Sequence, residues 1–500
     1  MKVLLFSNQG LSVPHLGIEL EILEALKAEG HEVDIVKCNS KVNGCYFNPA
    51  YNLPGCAICE ARSDVFYRKI GFDANRIFRM KWYEEALNFN APFFDTLNDL
   101  FEFNYKDANL GLGVASSIIS VQRDYDVSSH TFGQLIEQQL RSAINVYLNF
   151  EHFVERFKPD YIYLFNGRFA ETHALIELAQ QKGIPFRTFE KGATYLTYEI
   201  YDNCLPHSIK TRQMNIDYYW ENADEKERVE TAEAWFYDKV QGTHKNDKSY
   251  LDKMEKGRLP ENFDKSKTNI AIFNSSEDEF KAIREWQNTL YYHQNDAIKQ
   301  LVEHFVDNPD IHFYLRIHPN LGKVSNMQTR GIEEMDYPNL TVIPAFDQVD
   351  TYALMRAADK TVGFGSSTLV EATFWQKPSL LYGKSFYMGL DCVYVPETFE
   401  ELTKLVTERN LPPKKRERTY KYAYYVSSRG KKLEKFQWNG KFNSTFKGVE
   451  MKRFYPDTFN YLFKYLGNFP KWVKMNKLVW DRGLKLSDIG KLKQENVLKQ

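Results

Sequence analysis

Thr361-Val362-Gly363-Phe364-Gly365-Ser366-Ser367-Thr368-Leu369-Val370-Glu371-Ala372 decides the fold class. A short apolar strand runs into a glycine turn, and the turn opens directly into a helical pattern, which is the βα junction of an open parallel sheet. The flanking sequence repeats this construction. Strands are expected at Asn269 to Phe273, His312 to Ile317, Thr341 to Ile343, Thr361 to Phe364 and Ser379 to Tyr382, with helical stretches between most of them. Residues 267–410 therefore read as a Rossmann-like domain.

The start of the chain reads the same way. Val3-Leu4-Leu5-Phe6 is a buried strand, Ile18, Ile22, Leu23 and Leu26 recur at helical spacing, Gly30 stops that helix, and Val33 to Val36 is the next strand. The pattern returns at Tyr161 to Phe165, a helix from Glu171 to Lys182, and a strand from Ile184 to Phe189. Residues 1–205 are thus expected to form a first Rossmann-like domain whose pieces share one sheet. Residues 60–150 within it are aromatic-rich and helical in pattern, and 206–266 are polar and helical, as a connector would be.

Five hundred residues exceed one ordinary core, so two large domains are the natural division. No apolar run approaches the roughly 20 residues that span a bilayer, and Met1 to Phe6 is too brief for a signal peptide. A cytoplasmic protein is expected. The formal net charge is −1, but residues 411–500 carry 22 Lys or Arg against 7 Asp or Glu. This basic C-terminal extension, with Trp472, Trp480 and Phe469 among Lys471, Lys474 and Lys477, suits the anionic inner face of a membrane; the alternative is a surface that pairs with the acidic body. Nucleic acid is not expected as a partner. Cys38, Cys45, Cys56 and Cys59 cluster in sequence, and the Cys56-Ala-Ile-Cys59 spacing suits a structural zinc site, reduced thiols being the alternative.

In open parallel sheets ligands meet the residues that follow the strands. Those positions are polar throughout: Ser7-Asn8-Gln9-Gly10, Asn166-Gly167-Arg168 and Glu190-Lys191-Gly192 in the first half, Asn274-Ser275-Ser276, His318-Pro319-Asn320, Gly365-Ser366-Ser367-Thr368 and Gly383-Lys384 in the second. The serine turn offers amides at a helix start, hydroxyls and small residues, which suit a diphosphate or phosphodiester. Thr368-x-x-Glu371 is also a capping box that would serve the helix alone. His318 is aimed off the strand end by Pro319 and can donate to a phosphate oxygen.

Together, Arg316-Ile317-His318-Pro319-Asn320, Val349 to Leu354, Ala358-Asp359, Phe364-Gly365-Ser366-Ser367, Glu371-Ala372 and Lys377-Pro378 resemble bacterial capsular and surface-polysaccharide glycosyltransferases of GT-B architecture, in particular polysialyltransferases and capsule Kdo transferases. The resemblance covers residues 160–205 and 268–405. It implies an α/β fold of two doubly wound domains facing across a cleft. It implies that His318, Ser366 and Ser367 hold the donor phosphate, with Glu371 on the ribose; Arg316, Asn274, Ser275, Gly365 and Thr368, at the same strand ends, are expected beside them in the donor site. In the first domain it implies that Glu190 is the catalytic base, with Asn166 and Arg168 on the acceptor side; His15, near the first loop, is expected on that side too and, with Glu19, is the next candidate for the base. Lys191 stands where such enzymes often carry a second acid.

The expected reaction moves a sugar from a nucleotide-sugar donor, a CMP-sugar before a UDP-sugar, to an oligosaccharide or glycolipid acceptor. His318 and the serine turn would stabilise the leaving phosphate. No Asp-x-Asp motif is present, so no catalytic metal or other cofactor is expected. The rivals are a teichoic-acid-type polyol-phosphate transferase, a nucleotide-sugar 2-epimerase and an inert assembly partner.

Overall fold

The computed structural model describes residues 1–243, 253–440, 443–466 and Val473, and the chain divides into two compact units. The first takes Met1–Gln122, Asp126–Ser208 and the described residues from Arg429 onward. Its elements are β1 (Lys2–Ser7), α1 (Val13–Ala28), β2 (Glu32–Lys37), α2 (Leu53–Lys69), β3 (Ile77–Arg79), α3 (Glu84–Leu87), α4 (Leu97–Phe101), a hairpin of β4 (Asn104–Tyr105) and β5 (Ala108–Asn109), α5 (Gly111–Gln122), α6 (Ser129–Phe157), β6 (Tyr161–Phe165), α7 (Ala170–Gln181), β7 (Phe186–Lys191) and β8 (Thr197–Asp202).

These strands lie in the order β8-β7-β6-β1-β2-β3, parallel except for β8. The chain therefore starts at the centre, winds outward through β2 and β3, then crosses back to β6 on the other side of β1. Strands covered on both faces need apolar runs without alternation, and Val3 to Phe6 and Ile162 to Phe165 are buried accordingly. The pieces expected to share a sheet do share one. The stretch 60–150 that carried no strand signal supplies β3, whose three residues are only half-buried and too few to show a pattern.

The second unit takes Arg123–Tyr125 and Ile209–Ser428. Its elements are α8 (Ile209–Glu221), α9 (Glu225–Gln241), β9 (Thr268–Phe273), α10 (Gln294–His304), β10 (Ile311–Arg316), α11 (Met327–Glu333), β11 (Leu340–Ile343), α12 (Thr351–Ala357), β12 (Lys360–Gly363), α13 (Thr368–Phe374), β13 (Ser379–Leu381), α14 (Phe399–Thr407) and α15 (Tyr420–Ser428). The sheet is fully parallel, in the order β11-β10-β9-β12-β13. This is the same winding: centre, two strands outward, then across. The chain thus carries the two Rossmann-like α/β units that the GT-B resemblance implies. The polar stretch expected as a connector differs from expectation over Ile209–Gln241, where α8 and α9 are part of the second unit. Their solvent faces are polar, but Trp235 and Phe236 are buried, and Phe236 stacks on Phe374 at 3.8 Å.

The C-terminal region also differs from an appended extension. Residues 411–428 complete the second unit, and from Arg429 the chain returns to the first as β14 (Lys431–Lys432), β15 (Phe436–Gln437), β16 (Thr445–Phe446), β17 (Val449–Glu450) and α16 (Pro456–Tyr465). β14 pairs antiparallel with β8, Lys431 opposite Tyr198. Phe436, Phe446 and Met451 join the first core, where a Cβ on Gly17 would meet the Phe436 ring at 2.5 Å. Several basic residues pair with the acidic body: Lys435 and Lys447 with Glu24, and Asp457 returns the favour to Arg68 at 2.6 Å. Phe469, Lys471, Trp472, Lys474, Lys477 and Trp480 lie outside the described residues. No described helix is long and apolar enough to cross a membrane.

Candidate functional site

In the first sheet the winding reverses between β1 and β6, so the loops after β1, β6 and β7 border the crevice where such sheets take ligands. Glu190 ends β7 there. Its Oε2 accepts from Asn166 Nδ2 at 2.7 Å, its Oε1 accepts from the Lys191 N–H at 2.9 Å, and His15 Nε2 lies 3.4 Å from Oε1. Asn166 holds its place in a left-handed conformation, φ +57°, uncommon for a residue with a side chain and frequent at functional turns. On the far side of the imidazole, Nδ1 and the Ser12 hydroxyl are 2.7 Å apart. Ser12 is the N-cap of α1, where a serine normally accepts from the helix amides; here its hydroxyl makes no cap bond. His15 packs edge-on against Phe165 at 4.8 Å, with Phe47 at 5.3 Å.

Desolvation alone would raise the Glu190 carboxyl. The hydrogen bond and charge of His15, with the bonds from Asn166 and the Lys191 amide, outweigh it and hold the group at about 2. A carboxylate that acidic stays ionised and is a feeble proton acceptor. In its neutral form with Nε2–H towards Glu190, His15 offers Nδ1 as an accepting nitrogen, and the Ser12 hydroxyl lies on it. Glu190, expected as the base, is therefore better described as the partner that orients His15.

Lys191 is not the perturbing cation. Adjacent strand residues face opposite ways, and its ammonium lies 5.0 Å over the Tyr195 ring. Nor does Gly192 serve to admit a ligand, as its sequence context suggests: a Cβ there would come within 2.7 Å of the Arg429 carbonyl, so the glycine makes room for the returning chain. Arg168 lies on the face of Phe169, 4.8 Å from the ring centroid, and Tyr46 stacks on Phe169 at 4.0 Å. Beneath the first loop Glu19, one turn after His15 on α1, accepts from Ser7 at 3.2 Å and from Gln9 and Tyr67. Its desolvation exceeds what those bonds, and the charge of Lys37, return, and the carboxyl is raised to about 7. Sequence reasoning missed Ser12, although Ser12-x-x-His15 is one helical turn.

Cys38, Cys45, Cys56 and Cys59 are thiols lying in one another's electrostatic field. Burial pushes Cys38 and Cys59 well above the usual thiol range and Cys56 to about 11. Cys56 and Cys59 both lie on α2 rather than on a turn, Asn48 Nδ2 is 3.2 Å from the Cys56 sulfur, and the Cys59 thiol approaches the Asn8 carbonyl at 3.6 Å. No group of three or more His, Cys, Asp or Glu among the described residues is placed to hold a metal ion. The cysteines as placed do not fit the expected zinc.

In the second sheet the reversal falls between β9 and β12, and the residues after β9, β10, β12 and β13 gather. Asn274 Oδ1 accepts the His318 N–H at 2.8 Å, joining two strand ends, while its Nδ2 is buried without a protein partner among the described residues. Asn320 N–H donates to His318 Nδ1 at 3.1 Å, which places the ring proton on Nε2. Gln294 fixes Ser275 by two bonds, 3.1 Å from the Ser275 amide and 2.9 Å to its hydroxyl. Gly365 adopts φ +137°, and a Cβ there would stand 3.1 Å from the Lys384 carbonyl and 3.9 Å from Ser275 Oγ. Only glycine satisfies both demands. Ser366 Oγ bonds Thr368 Oγ1 at 3.0 Å, its carbonyl accepts from Tyr387 at 2.6 Å, and Ser367 caps α13.

Two expected ligands are directed elsewhere. Arg316 is buried, and its guanidinium donates to the carbonyls of Pro344 at 2.5 Å and Asp347 at 3.2 Å, holding the loop after β11. Glu371 is buried too, accepting from Tyr352 of α12 at 2.6 Å, with Lys239 at 4.0 Å. The Thr368-x-x-Glu371 capping box does not form, because Ser367 is the N-cap and makes no side-chain cap bond.

No family model matches the sequence, and no curated protein matches it. Among solved structures the chain is similar to the Thermosulfurimonas dismutans KpsC beta Kdo 2,4 transferase, with 13% identity and TM-score 0.35 over 52% of this chain and 78% of that one. The KpsC beta Kdo 2,7 transferase of the same organism gives 12% and 0.32 over 56% and 80%. UDP-GlcNAc 2-epimerase from Neisseria meningitidis bound to UDP-GlcNAc gives 13% and 0.28 over 85% and 96%. The likeness is one of outline only.

Proposed function

We propose that this chain is a glycosyltransferase moving a sugar from a nucleotide-activated donor, a CMP-sugar before a UDP-sugar, to a growing surface polysaccharide or lipid-linked acceptor. The observation that carries the reading is the Ser12–His15–Glu190 arrangement, in which an ionised carboxylate orients an imidazole and the imidazole holds a hydroxyl at 2.7 Å. An acceptor hydroxyl taking the place of Ser12 on Nδ1 gives up its proton there as its oxygen bonds to the anomeric carbon. The bond from that carbon to the phosphate breaks, and Glu190 stabilises the imidazolium. In the second unit the Asn274 amide, the His318 Nε2–H and the hydroxyls and amides of Ser366 to Thr368 are the groups that meet the leaving phosphate.

The test is a thermal-shift screen of the protein against CMP, UDP, GDP and CDP, followed by transfer assays with the nucleotide that binds. A ligand at about 100 times its dissociation constant adds roughly 2.7 kcal/mol of stability, which is readily measured. No stabilisation by any nucleotide sinks the reading. Altered free sugar from donor alone identifies a 2-epimerase, and consumption of CDP-glycerol a polyol-phosphate transferase.

A further inference from the structure

We propose that Arg62 of α2 is a positioning residue for His15, and that through it the returning C-terminal chain fixes the turn that carries Ser12. The catalytic consequence rests on the transferase reading, while the placement of the histidine is measured without any reaction.

The loop after β1 is short and stiff. Gln9 to Ser12 is a turn closed by the Ser12 N–H, which donates to the Gln9 carbonyl at 2.9 Å, and Ser12 then begins α1 with its hydroxyl 2.7 Å from His15 Nδ1. Ser7 and Gln9 are tied to Glu19, and Asn8 Nδ2 donates to Glu171 at 3.3 Å. The two central carbonyls of the turn, those of Gly10 and Leu11, both accept from Arg62 Nη1, each at 2.9 Å. Gly10 lies so close on α2 that a Cβ would run into the Cys59 carbonyl, so backbone contact seats the turn there as well as the guanidinium. A four-residue turn moves as a body. Where its central carbonyls are pinned, the Ser12 hydroxyl at its end is pinned too.

The other edge of the guanidinium belongs to the tail. Arg62 Nε donates to the Lys452 carbonyl at 3.1 Å. That carbonyl is itself held: Met451 is fully buried with its N–H on the Ser444 carbonyl at 2.9 Å, the Lys452 N–H donates to the Tyr455 hydroxyl at 2.9 Å, and that hydroxyl donates to the Glu450 carbonyl at 3.1 Å. Tyr455 is the N-cap of α16, which packs on α2 with Tyr461 donating to Asp64 and Arg68 donating to Asp457 at 2.6 Å. Among the described residues the hydrogen-bond partners of Arg62 are thus three carbonyls, two from the turn and one from the tail, around a side chain only 4% exposed. A guanidinium buried in this way recovers its lost hydration through those bonds. If the tail carbonyl is displaced, the least costly remedy is for Nε to turn towards water. That motion takes the guanidinium off Gly10 and Leu11 and releases Ser12 from the imidazole.

The experiment compares Arg62→Met, Arg62→Lys, Tyr455→Phe and Arg68→Met in the full chain. Ring resonances of His15 are followed in proton–carbon correlation spectra with His312 of the second unit as internal reference, alongside nucleotide affinity and single-turnover transfer. Arg62→Met and Tyr455→Phe should move the His15 resonances and leave those of His312 in place. Transfer should fall about tenfold or more in Arg62→Met and about threefold in Tyr455→Phe, with nucleotide affinity within about twofold of wild type. Arg62→Lys keeps the charge and loses the planar fork, and should recover part of the loss. Arg68→Met breaks a different bond between α2 and α16 and should match wild type throughout. Unmoved His15 resonances in both Arg62→Met and Tyr455→Phe overturn the proposal, as does a loss in Arg68→Met equal to that in Arg62→Met. If Arg62→Met does not fold, Tyr455→Phe and Arg62→Lys decide by the same resonances. Moved resonances in a protein that transfers no sugar uphold the coupling and sink the transferase reading instead.

Discussion

The two sheets are wound alike and furnished differently. Each starts at its central strand, runs two strands outward and crosses back, so each opens a crevice between its first and fourth strands. In the first unit that crevice holds an imidazole, a carboxylate and a guanidinium, His15, Glu190 and Arg168, among aromatic rings. In the second it holds amides, hydroxyls and two glycines at φ +137° and φ +151°, with the charged Arg316 and Glu371 turned into the protein. The sheet sets where a ligand can lie; the loops after the strands set what is done to it. On the proposed reading, one crevice moves a proton and the other receives a phosphate.

The sharpest way to break this comparison is to remove the proton acceptor. His15→Ala should cost about 10² to 10⁴ in transfer rate while nucleotide binding, the work of the other crevice, stays within about twofold. Single-turnover rates and titration calorimetry check both halves. Turnover above about a tenth of wild type puts the base elsewhere. Glu190→Gln should also lose transfer, because a neutral partner no longer stabilises the imidazolium.

The first crevice should also dominate the pH dependence of stability, through two carboxyls shifted in opposite directions. Glu190, lowered to about 2 from an ordinary 4.5, adds stability above the unfolded value that is lost as pH falls from 4.5 towards 2. Glu19, raised to about 7, is protonated when folded and ionised when unfolded between those values, so stability falls as pH rises from 4.5 to 7. The shift corresponds to about 3 kcal/mol at most. Glu19→Gln should flatten that falling limb in urea melts between pH 5 and 8. A slope equal to wild type would show that Glu19 is not the titrating group.

In the second crevice, His318→Ala and Ser366→Ala should each weaken nucleotide binding by about 1 to 3 kcal/mol and leave the His15 chemistry of bound ternary complexes alone. Unchanged affinity in both would remove phosphate binding from this loop cluster. Ser12→Ala, by contrast, should leave nucleotide affinity untouched.

The strands of the second sheet and β1, β2, β6 and β7 of the first, with the polar residues after them, were legible in sequence, because buried parallel strands are apolar runs and glycine turns punctuate them; β8, antiparallel and alternating between buried and exposed positions, was not. Strand partners across long separations were not. Nothing local to Gly192 announces Arg429, and nothing near Lys452 announces Arg62. The directions of Arg316 and Glu371 were equally hidden, since a motif says which residue stands at a position and not which way its side chain leaves the strand or helix. The three residues of β3 were too short to carry periodicity. In the cysteine cluster, closeness in sequence suggested a metal, and among the described residues no group of three or more such side chains is placed to hold one.

The smallest expected effect separates two carboxylates, one half-buried and one buried, that sequence alone would treat alike. Glu190 ends a strand beside an imidazole, and Glu371 lies inside the second unit, where the Tyr352 hydroxyl of the preceding helix donates to it at 2.6 Å. The bond from the Tyr352 hydroxyl to Glu371 ties α12 to α13. Tyr352→Phe removes the donor and leaves the carboxylate buried with one bond fewer, which should cost about 1 to 3 kcal/mol of stability. Glu371→Gln keeps the size and one acceptor oxygen, so it should cost less, about 1 kcal/mol, and change nucleotide affinity by under threefold. Paired denaturation curves and nucleotide titrations decide it. A loss of tenfold or more in affinity at unchanged stability would return Glu371 to the ribose, and the second crevice would then hold a working carboxylate as the first does.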